Sequence, residues 1–185
     1  MQDVNIRQPI AVTMGDPAGV GPEVTARTWA MRRDYDLPPF VAIGDIAAIA
    51  AVWSGPVARV ADMEQVARTF DEALPVWHLE DSGPLTPGIP TAAGATCALH
   101  TLETGIGLTR NQASSALVTG PVSKSALHGI GYTHPGQTEF IAERCGVTAT
   151  NAVMMLAGPT LRVVPLTVHI PLAEVPERLT SELIV

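Results

Sequence analysis

The sequence predicts an α/β fold built on a parallel sheet, and three observations favour this class. Short apolar runs alternate along the chain with segments whose apolar residues recur at helical spacing. Apolar residues make up 46% of the 185 residues and charged residues only 16%, as in a globular protein. Aromatic residues reach only 4%, so alanine and valine must fill the space between the helices and the sheet.

The first part of the chain contains four predicted strands separated by helices. The strands are short apolar runs bounded by proline or glycine, at 8–14, 40–44, 56–60 and 74–79. A helix is predicted at 22–33, because Pro22 suits a first helical turn. Asp45 and Asp62 are N-cap residues for the next two helices, the second of which runs to residue 70.

The second part begins with a predicted loop at 81–90, which holds three prolines and two glycines. The following elements are a long helix at 91–108, a strand at 116–119, a helix at 138–144, and strands at 153–156 and 161–168. From Leu172, the spacing of Val175, Leu179 and Leu183 predicts an amphipathic helix. The chain stops inside this helix on apolar residues, so we expect it to be the front part of a longer protein.

Composition and length exclude several classes of protein. The length suits one domain or slightly more. A net charge of −7, with no basic run, argues against nucleic acid as a partner. No stretch approaches the ~20 apolar residues of a membrane span, and no secretory signal precedes the first strand. Cys97 and Cys145 match no metal-binding spacing and are expected to be free thiols, so we expect a cytoplasmic protein with no membrane partner.

The glycine-rich segment 15–23 lies between the first strand and the first helix. Its glycines let backbone N–H groups approach a ligand, and the helix that follows favours anions. Asp16 within it is a candidate substrate-binding residue. The segment is neither G-x-G-x-x-G nor a P-loop. The alternative interpretation is a tight strand-to-helix turn without a ligand.

The segment after the fifth strand carries the densest group of polar side chains. Loops at the carboxyl ends of strands are where ligands bind in open α/β sheets. The Lys124 ammonium can hold a phosphate or carboxylate, and Gln137 and Thr138 fall where a helix begins. The alternative is that Thr133 or Thr138 caps this helix while Lys124 is merely solvated.

His169 is a candidate metal ligand because it ends a predicted strand and precedes a proline turn. The alternative is a hydrogen-bonded structural histidine. His78 and His100 form no paired spacing with other histidines, so a single histidine does not define a metal site from spacing alone.

Five motifs in register resemble the PdxA family, the 4-hydroxythreonine-4-phosphate dehydrogenases of pyridoxal phosphate biosynthesis. They are V-T-M-G-D-P-A-G-V-G-P-E (12–23), L-V-T-G-P-V-S-K (117–124), G-Q-T-E-F (136–140), V-M-M-L-A (153–157) and L-R-V-V-P-L-T-V-H-I-P-L (161–172). The resemblance implies two α/β/α domains with a cleft between them. Their parallel or mixed sheets would be of the isocitrate/isopropylmalate-dehydrogenase type. We expect the first domain at 1–120 and the start of an incomplete second at 121–185.

The resemblance also implies an activity. A secondary alcohol of 4-phosphohydroxy-L-threonine would be oxidised with NAD or NADP, and the product would lose CO2 to give 3-amino-2-oxopropyl phosphate. A divalent metal (Zn, Mg, Mn or Co) would polarise the hydroxyl and stabilise the enolate. The family is expected to act as a homodimer whose metal site takes histidines from both subunits.

The resemblance assigns roles to individual residues. His169 matches the first metal ligand, and Lys124 matches a lysine that supports the active site, our candidate catalytic residue. Gln137 and Thr138 match adjacent substrate-binding positions, the first of which is histidine in better-known members. Glutamine donates a hydrogen bond but takes up no proton. We therefore hypothesise that His134 replaces part of that role and binds substrate.

Two departures from the family keep alternatives open. The change at Gln137 leaves room for oxidative decarboxylation of another hydroxy-acid, such as a phosphorylated sugar acid or a cis-dihydrodiol carboxylate. The family's other metal histidines lie beyond residue 185, and a single imidazole holds a metal poorly. An inactive domain that dimerises or binds an anion, or a phosphate-binding module using the segment 15–21, is therefore the other alternative.

Overall fold

Five short apolar segments form a parallel sheet in the computed structural model, which describes residues 8–148, 151–168 and 170–184. The strands are β1 (Ile10–Thr13), β2 (Phe40–Gly44), β3 (Val57–Arg59), β4 (Leu74–His78) and β5 (Leu117–Thr119). Their order in the sheet is β3-β4-β2-β1-β5, and every neighbouring pair is parallel. The middle strand β2 is buried along its whole length, as a strand covered on both faces must be. The predicted α/β class with a parallel sheet is confirmed.

Helices follow the strands and begin where the sequence offers a cap. They are α1 (Gly21–Ala30), α2 (Ile46–Val52), α3 (Met63–Thr69), α4 (Ala92–Arg110) and α5 (Lys124–Gly129). The Asp45 side chain accepts from the backbone N–H of Ala47 at 2.8 Å, and Asp62 caps α3 in the same manner. The helix α5 was not predicted, because its six residues are too few for a periodic pattern.

The core lies on both faces of this sheet. Along β2, Phe40 and Ala42 point to one face, where they pack with Ala26 and Trp29 of α1. Ile43 points to the other, where α4 approaches it closely at Gly105. No helix in the described ranges has the length and apolar character needed to span a membrane.

The neighbouring strands β1 and β5 lead to opposite faces of the sheet. The chain leaves β1 for α1 on one face, whereas α5, which follows β5, packs against α4 on the other face. Such a point, where neighbouring connections diverge, leaves a crevice at the carboxyl ends of the strands. The loops that carry Asp16 and Lys124 both start there.

The residues from His134 onward form a second unit by their contacts. It contains α6 (Gln137–Arg144), β6 (Leu156–Ala157), β7 (Arg162–Val163), α7 (Val175–Arg178) and α8 (Ser181–Ile184). The structure thus divides in sequence between Thr133 and His134. The domains expected at 1–120 and 121–185 stay a prediction.

The predicted strands at 153–156 and 161–168 were wrong in extent. Of these residues only Leu156, Arg162 and Val163 form strand pairs, in the antiparallel hairpin of β6 and β7 that Ala157 completes. The hairpin turns at Gly158, whose N–H donates to the Leu161 carbonyl at 2.8 Å. An apolar run becomes a long strand only where a neighbouring strand pairs with it, and the described residues of this unit provide no third strand.

The single amphipathic helix predicted from Leu172 was also wrong. A 3-10 turn at Leu172–Glu174 leads into α7, and α8 is a separate helix. Between them Leu179 adopts an extended conformation, with ψ 99°. The Thr180 hydroxyl accepts from the Leu183 N–H at 3.3 Å, so its side chain starts a new helical turn.

Candidate functional site

The loops after β1 and β5 are joined by backbone hydrogen bonds at the carboxyl edge of the sheet. The Asp16 N–H donates to the Pro121 carbonyl at 2.9 Å, and the Gly120 N–H donates to the Thr13 carbonyl at 2.8 Å. The predicted site residues Asp16 and Lys124 therefore belong to two connected loops at one edge of one unit.

Asp16 is 5% exposed and directs its carboxylate into its own loop. Its Oδ1 accepts from the Ala18 N–H at 2.9 Å, and its carbonyl accepts from the Gly19 N–H at 3.0 Å. These bonds close an aspartate turn that stiffens the entry into α1. The geometry gives Asp16 a role in shaping the loop, and substrate binding by Asp16 stays a prediction.

The glycines of these loops are explained by close packing of backbone on backbone. Gly15 has φ 73°, and a Cβ there would overlap the Pro121 carbonyl oxygen. A Cβ at Gly120 would lie 2.6 Å from the Met14 backbone. The space that a glycine-rich ligand cradle would need is filled by the neighbouring loop. This geometry supports the tight turn, which was the alternative interpretation of the segment.

Lys124 is the first residue of α5, and its side chain is exposed. It forms no ion pair with any residue of the described ranges. A cation is unfavourable at this end of a helix, where the peptide dipoles are already positive. Neither an ion pair within the described ranges nor the helix dipole stabilises the Lys124 ammonium, so it is available to bind an anion.

Gln137 and Thr138 occupy the first turn of α6, as predicted. The N-cap residue is Gly136, and no side chain caps this helix, so capping by Thr133 or Thr138 is not observed. Thr138 is exposed and Gln137 is half-buried. The first-turn N–H groups of α6 are therefore not closed off by a side-chain cap.

His134 is held in place by α6. Its Nε2 lies 2.8 Å from Oε2 of Glu143, and its ring packs edge-on against Phe140 with centroids 5.1 Å apart. The hydrogen bond from His134 is the largest cause that lowers the pKa of Glu143. The contacts tie the segment before α6 to the helix's last turn. If His134 is to bind substrate in place of a histidine at position 137, its Nε2 must give up the hydrogen bond to Glu143.

A cavity of about 720 Å³ lies in the second unit beside the first turn of α6. Most of its described wall is apolar, from the segments 152–154 and 164–168 and from Leu183. Thr138 and Glu139 enter from α6, and Arg178 enters from α7. The candidate metal ligand His169 lies outside the described residues, but its chain neighbours Val168 and Ile170 line this cavity.

A group that sequence reasoning missed lies at the carboxyl ends of β2 and β4. Ligand atoms of Asp45, His78 and Asp81 all lie within 4.8 Å of one another, a geometry compatible with a metal ion. Asp45 and His78 follow or end neighbouring strands that are not consecutive in the chain. Only the strand order brings them together, so no spacing in the sequence signals the group.

Several potential ligand atoms of this group already accept hydrogen bonds. Asp45 caps α2 through Oδ1, and its Oδ2 accepts from both the N–H and the hydroxyl of Ser82. His78 Nδ1 accepts from the Ile46 N–H at 3.2 Å. Burial acts to raise the pKa of Asp45, but the hydrogen bonds from Ser82 and Ala47 prevail and lower it. Asp45 and His78 Nδ1 thus belong to a hydrogen-bond network that a metal ion would have to break, whereas Asp81 is exposed and lies 3.5 Å from His78 Nε2.

Cys97 is unsuited to a reactive role. Cys97 is buried and Cys145 is exposed, and both are free. Burial first, and the nearby charges of Glu80 and Asp45 second, raise the pKa of Cys97 to about 12. At neutral pH this thiol is protonated and unreactive.

Comparison with known proteins gives a consistent family. The profile of the family described as pyridoxal phosphate biosynthetic protein PdxA matches residues 37–185. The chain is 52% identical over 178 residues to a protein of Zymomonas mobilis and 44% identical over 184 residues to one of Erythrobacter litoralis. Both relatives are named 4-hydroxythreonine-4-phosphate dehydrogenase. The alignments cover 96% and 97% of this chain but 53% and 54% of the relatives, so the chain spans about half their length.

Solved structures agree on the fold. The 4-hydroxythreonine-4-phosphate dehydrogenase of Burkholderia phymatum superimposes with a TM-score of 0.81 at 28% identity, over 96% of this chain and 55% of that one. A terephthalate 1,2-cis-dihydrodiol dehydrogenase of Burkholderia xenovorans superimposes with a TM-score of 0.68 at 24% identity, over 96% of this chain and 53% of that one. The second likeness shows a shared fold and no more.

Proposed function

The chain belongs to the PdxA family, and from this premise we propose that it forms part of a 4-hydroxythreonine-4-phosphate dehydrogenase acting in pyridoxal phosphate biosynthesis. The observation that carries the proposal is the 52% identity, along 96% of the chain, to a relative of that name. The substrate is then a small phosphorylated hydroxy-amino acid, 4-phosphohydroxy-L-threonine. Nucleic acid has no part in the reaction.

The proposed reaction oxidises the substrate's secondary alcohol and then removes CO2. A hydride passes from the carbinol carbon to NAD or NADP, and the hydroxyl proton is released as the ketone forms. The β-keto acid next loses CO2 and takes up a proton, giving 3-amino-2-oxopropyl phosphate. A bound divalent metal (Zn, Mg, Mn or Co) supplies Lewis-acid stabilisation of negative charge on the oxidised oxygen.

The described residues support this chemistry by binding and orienting the substrate. The Lys124 ammonium, which has no ion-pair partner within the described ranges, holds an anionic group. Gln137 and Thr138 place an amide and a hydroxyl on the first turn of α6, where they donate hydrogen bonds to polar substrate atoms. Apolar side chains of the cavity lie beside Thr138 and offer contacts to the uncharged part of a substrate.

For the metal, we propose that this chain contributes one imidazole, His169. The group of Asp45, His78 and Asp81 is less suited to the role, because the Asp45 oxygens and His78 Nδ1 already accept hydrogen bonds from Ser82 and from α2. One imidazole binds a divalent ion weakly. The remaining ligands must then come from a part of the enzyme that this chain does not include.

We also propose that the enzyme is a cytoplasmic homodimer with a shared active site. The hairpin of β6 and β7 supports this, because Leu156 and Leu161 are 57% and 67% exposed, an unfavourable arrangement without a partner. The free thiols of Cys97 and Cys145 are typical of a reducing compartment.

The decisive experiment is an assay of NADH or NADPH formation with 4-phosphohydroxy-L-threonine. The full-length gene product and the 185-residue chain are compared, with and without EDTA. We expect turnover by the full-length product, loss of turnover in EDTA, and none by the chain alone. Turnover that is unaffected by EDTA overturns the metal dependence, and no turnover by the full-length product overturns the proposed substrate.

One observation favours a second candidate function. Glutamine stands at position 137, where the resemblance to the family implies histidine, and glutamine cannot carry a proton. A substrate that needs no proton transfer at this position, such as a cis-dihydrodiol carboxylate or a phosphorylated sugar acid, is then the alternative. The same assay with these compounds decides, since a higher kcat/KM for one of them replaces the first proposal.

A further inference from the structure

The charges of the cavity beside α6 have no assigned role. Among the described residues that line it, Arg178 and Glu139 are the two that carry a formal charge. We propose that Arg178 determines substrate specificity by binding an oxyanion of the substrate, its carboxylate or its phosphate, in this cavity. This inference rests on the proposed function for the identity of the substrate.

The guanidinium of Arg178 is available for such a contact. Its side chain is 65% exposed, and the ion pair it forms within the described ranges, to Oε2 of Glu174 one helical turn earlier, spans 3.8 Å. That distance is beyond an ordinary hydrogen bond, and exposed ion pairs of this kind contribute little. An incoming oxyanion therefore displaces no strong interaction.

The surroundings suit a charged contact. Val164, Leu166 and Val168 line the same cavity and offer an apolar surface to the uncharged part of a substrate whose oxyanion contacts Arg178. The planar guanidinium donates two parallel hydrogen bonds to a carboxylate or phosphate. Glu139 adds a carboxylate to the lining, which matches the ammonium of an amino-acid substrate. A substrate with both signs of charge fits this pair.

The other arginines of this unit are less suited to the role. Arg144 donates to Glu143 at 2.8 Å, and its guanidinium stacks over the Phe140 ring at 4.4 Å, so it is already engaged. Arg162 lies on β7, outside the cavity lining. Arg162 is therefore a matched control for loss of one positive charge from this unit.

The test compares Arg178→Gln, Arg178→Lys and Arg162→Gln in the full-length gene product. For Arg178→Gln we expect the KM for 4-phosphohydroxy-L-threonine to rise about tenfold or more at nearly constant kcat, because a binding contact common to ground and transition state is lost. Arg178→Lys should recover part of this loss, since the charge remains. An unchanged KM, or a rise equal to that of Arg162→Gln, overturns the proposal.

Substrate analogues identify the group that is bound. If Arg178 holds the phosphate, the Arg178→Gln penalty disappears with 4-hydroxy-L-threonine, which lacks it. If Arg178 holds the carboxylate, the penalty disappears with the decarboxylated amino-alcohol phosphate. A penalty that is undiminished with both analogues shows that Arg178 acts structurally and overturns the proposal.

A binding measurement separates this inference from the proposed function. Inorganic phosphate is titrated into the wild type and the variants by calorimetry, with circular dichroism as the check on folding. Weaker phosphate binding by Arg178→Gln, but not by Arg162→Gln, supports the oxyanion site even if no turnover is found. Turnover by the wild type with equal KM and equal phosphate binding in the folded Arg178→Gln variant overturns the site and leaves the proposed function intact.

Discussion

Asp45 shows how one buried carboxylate organises the sheet edge. It is 1% exposed, yet both of its oxygens accept hydrogen bonds, from Ala47 at the start of α2 and from Ser82 after β4. Two segments far apart in sequence therefore depend on one side chain. A buried carboxylate with this many donors stays ionised at neutral pH.

We predict that Asp45→Ala lowers the free energy of unfolding by about 2–4 kcal/mol. The change removes a helix cap, at a cost of about 1 kcal/mol, and leaves the Ser82 donors buried without a partner, at about 1–3 kcal/mol. Urea unfolding measures the effect. Asp62→Ala is the control, since Asp62 is an exposed cap, and it should cost only about 1 kcal/mol. Equal losses in the two variants would contradict the network.

The same residue predicts a dependence on pH. The pKa of Asp45 in the folded chain is below its ordinary value of 3.8, because the hydrogen bonds from Ser82 and Ala47 outweigh burial. Its stabilisation is complete above that value and is lost as the pH falls through the folded-state pKa. The difference in unfolding free energy between the wild type and Asp45→Asn should therefore shrink below about pH 4. Urea titrations at several pH values measure this difference, and a constant gap would contradict the shift.

Lys124 is the only lysine of the 185 residues, and it occupies an unfavourable position for a cation. We predict that Lys124→Gln raises the KM for the phosphorylated substrate about tenfold, as expected for loss of one charge-assisted contact. The free energy of unfolding should not fall, because removing a positive charge from a helix N-terminus relieves about 0.3 kcal/mol or more. Lys124→Arg keeps the charge and serves as the control. An unchanged KM in Lys124→Gln would remove Lys124 from the site.

At the scale of elements, α4 shows how a helix is fitted to the sheet. Gly105 faces β1 and β5, where a Cβ would lie 2.6 Å from Cδ1 of Leu117 and 3.0 Å from Cγ2 of Thr13. Gly107 is two residues further along and so lies on roughly the opposite side of the helix. A Cβ added there would meet no atom within 4 Å. Two glycines of one helix thus have different physical reasons to be there.

We predict opposite effects for alanine at these two positions. Gly107→Ala should raise the free energy of unfolding by about 0.5–1 kcal/mol, because alanine loses less backbone entropy in a helix. Gly105→Ala gains the same backbone-entropy benefit, but its methyl group overpacks the contact with the sheet. The net effect should be a free energy of unfolding lower by about 1 kcal/mol. Thermal unfolding of the pair checks this. A stabilised Gly105→Ala would show that α4 has room to move away from the sheet.

The elements that were predicted correctly are those whose signals are local. Asp45 and Asp62 start α2 and α3 as expected, and β2 has the predicted bounds. The errors arise where the extent of an element depends on a neighbouring strand or on a single side-chain hydrogen bond. The hairpin of β6 and β7 is short because no third strand pairs with it in the described part of the unit, and Thr180 divides the last helix.

At the scale of the whole molecule, the strand order decides which candidate residues meet. Asp16 and Lys124 were predicted separately, and the pairing of β1 with β5 brings their loops together. His78 was set aside for want of a partner at a ligand spacing, yet the pairing of β2 with β4 places it beside Asp45. The order of strands in the sheet cannot be deduced from the spacing of residues in the sequence. These contacts could therefore be identified only from the structure.

Assembly is the remaining property of the whole molecule. We predict that Leu156→Asp prevents dimer formation by the full-length gene product, because a carboxylate against an apolar partner surface is costly. Light scattering after size-exclusion chromatography measures the mass. Val20→Asp is the control, since Val20 is 60% exposed in the other unit. A Leu156→Asp variant that is still dimeric would place the interface elsewhere.

The pairing of β1 with β5 also sets the order in which this molecule is assembled. The bond from Gly120 to Thr13 joins residues 107 positions apart, so a long loop must close before it forms. The carboxyl-edge loops of Asp16 and Lys124 are therefore expected to come together late in folding, and β5, which like β3 is an edge strand, should open before the central strand β2. Native-state hydrogen exchange should find the Gly120 and Asp16 amides opening together, while those of β2 stay protected. The edge at which the two loops meet is thus expected to open more readily than the middle of the sheet.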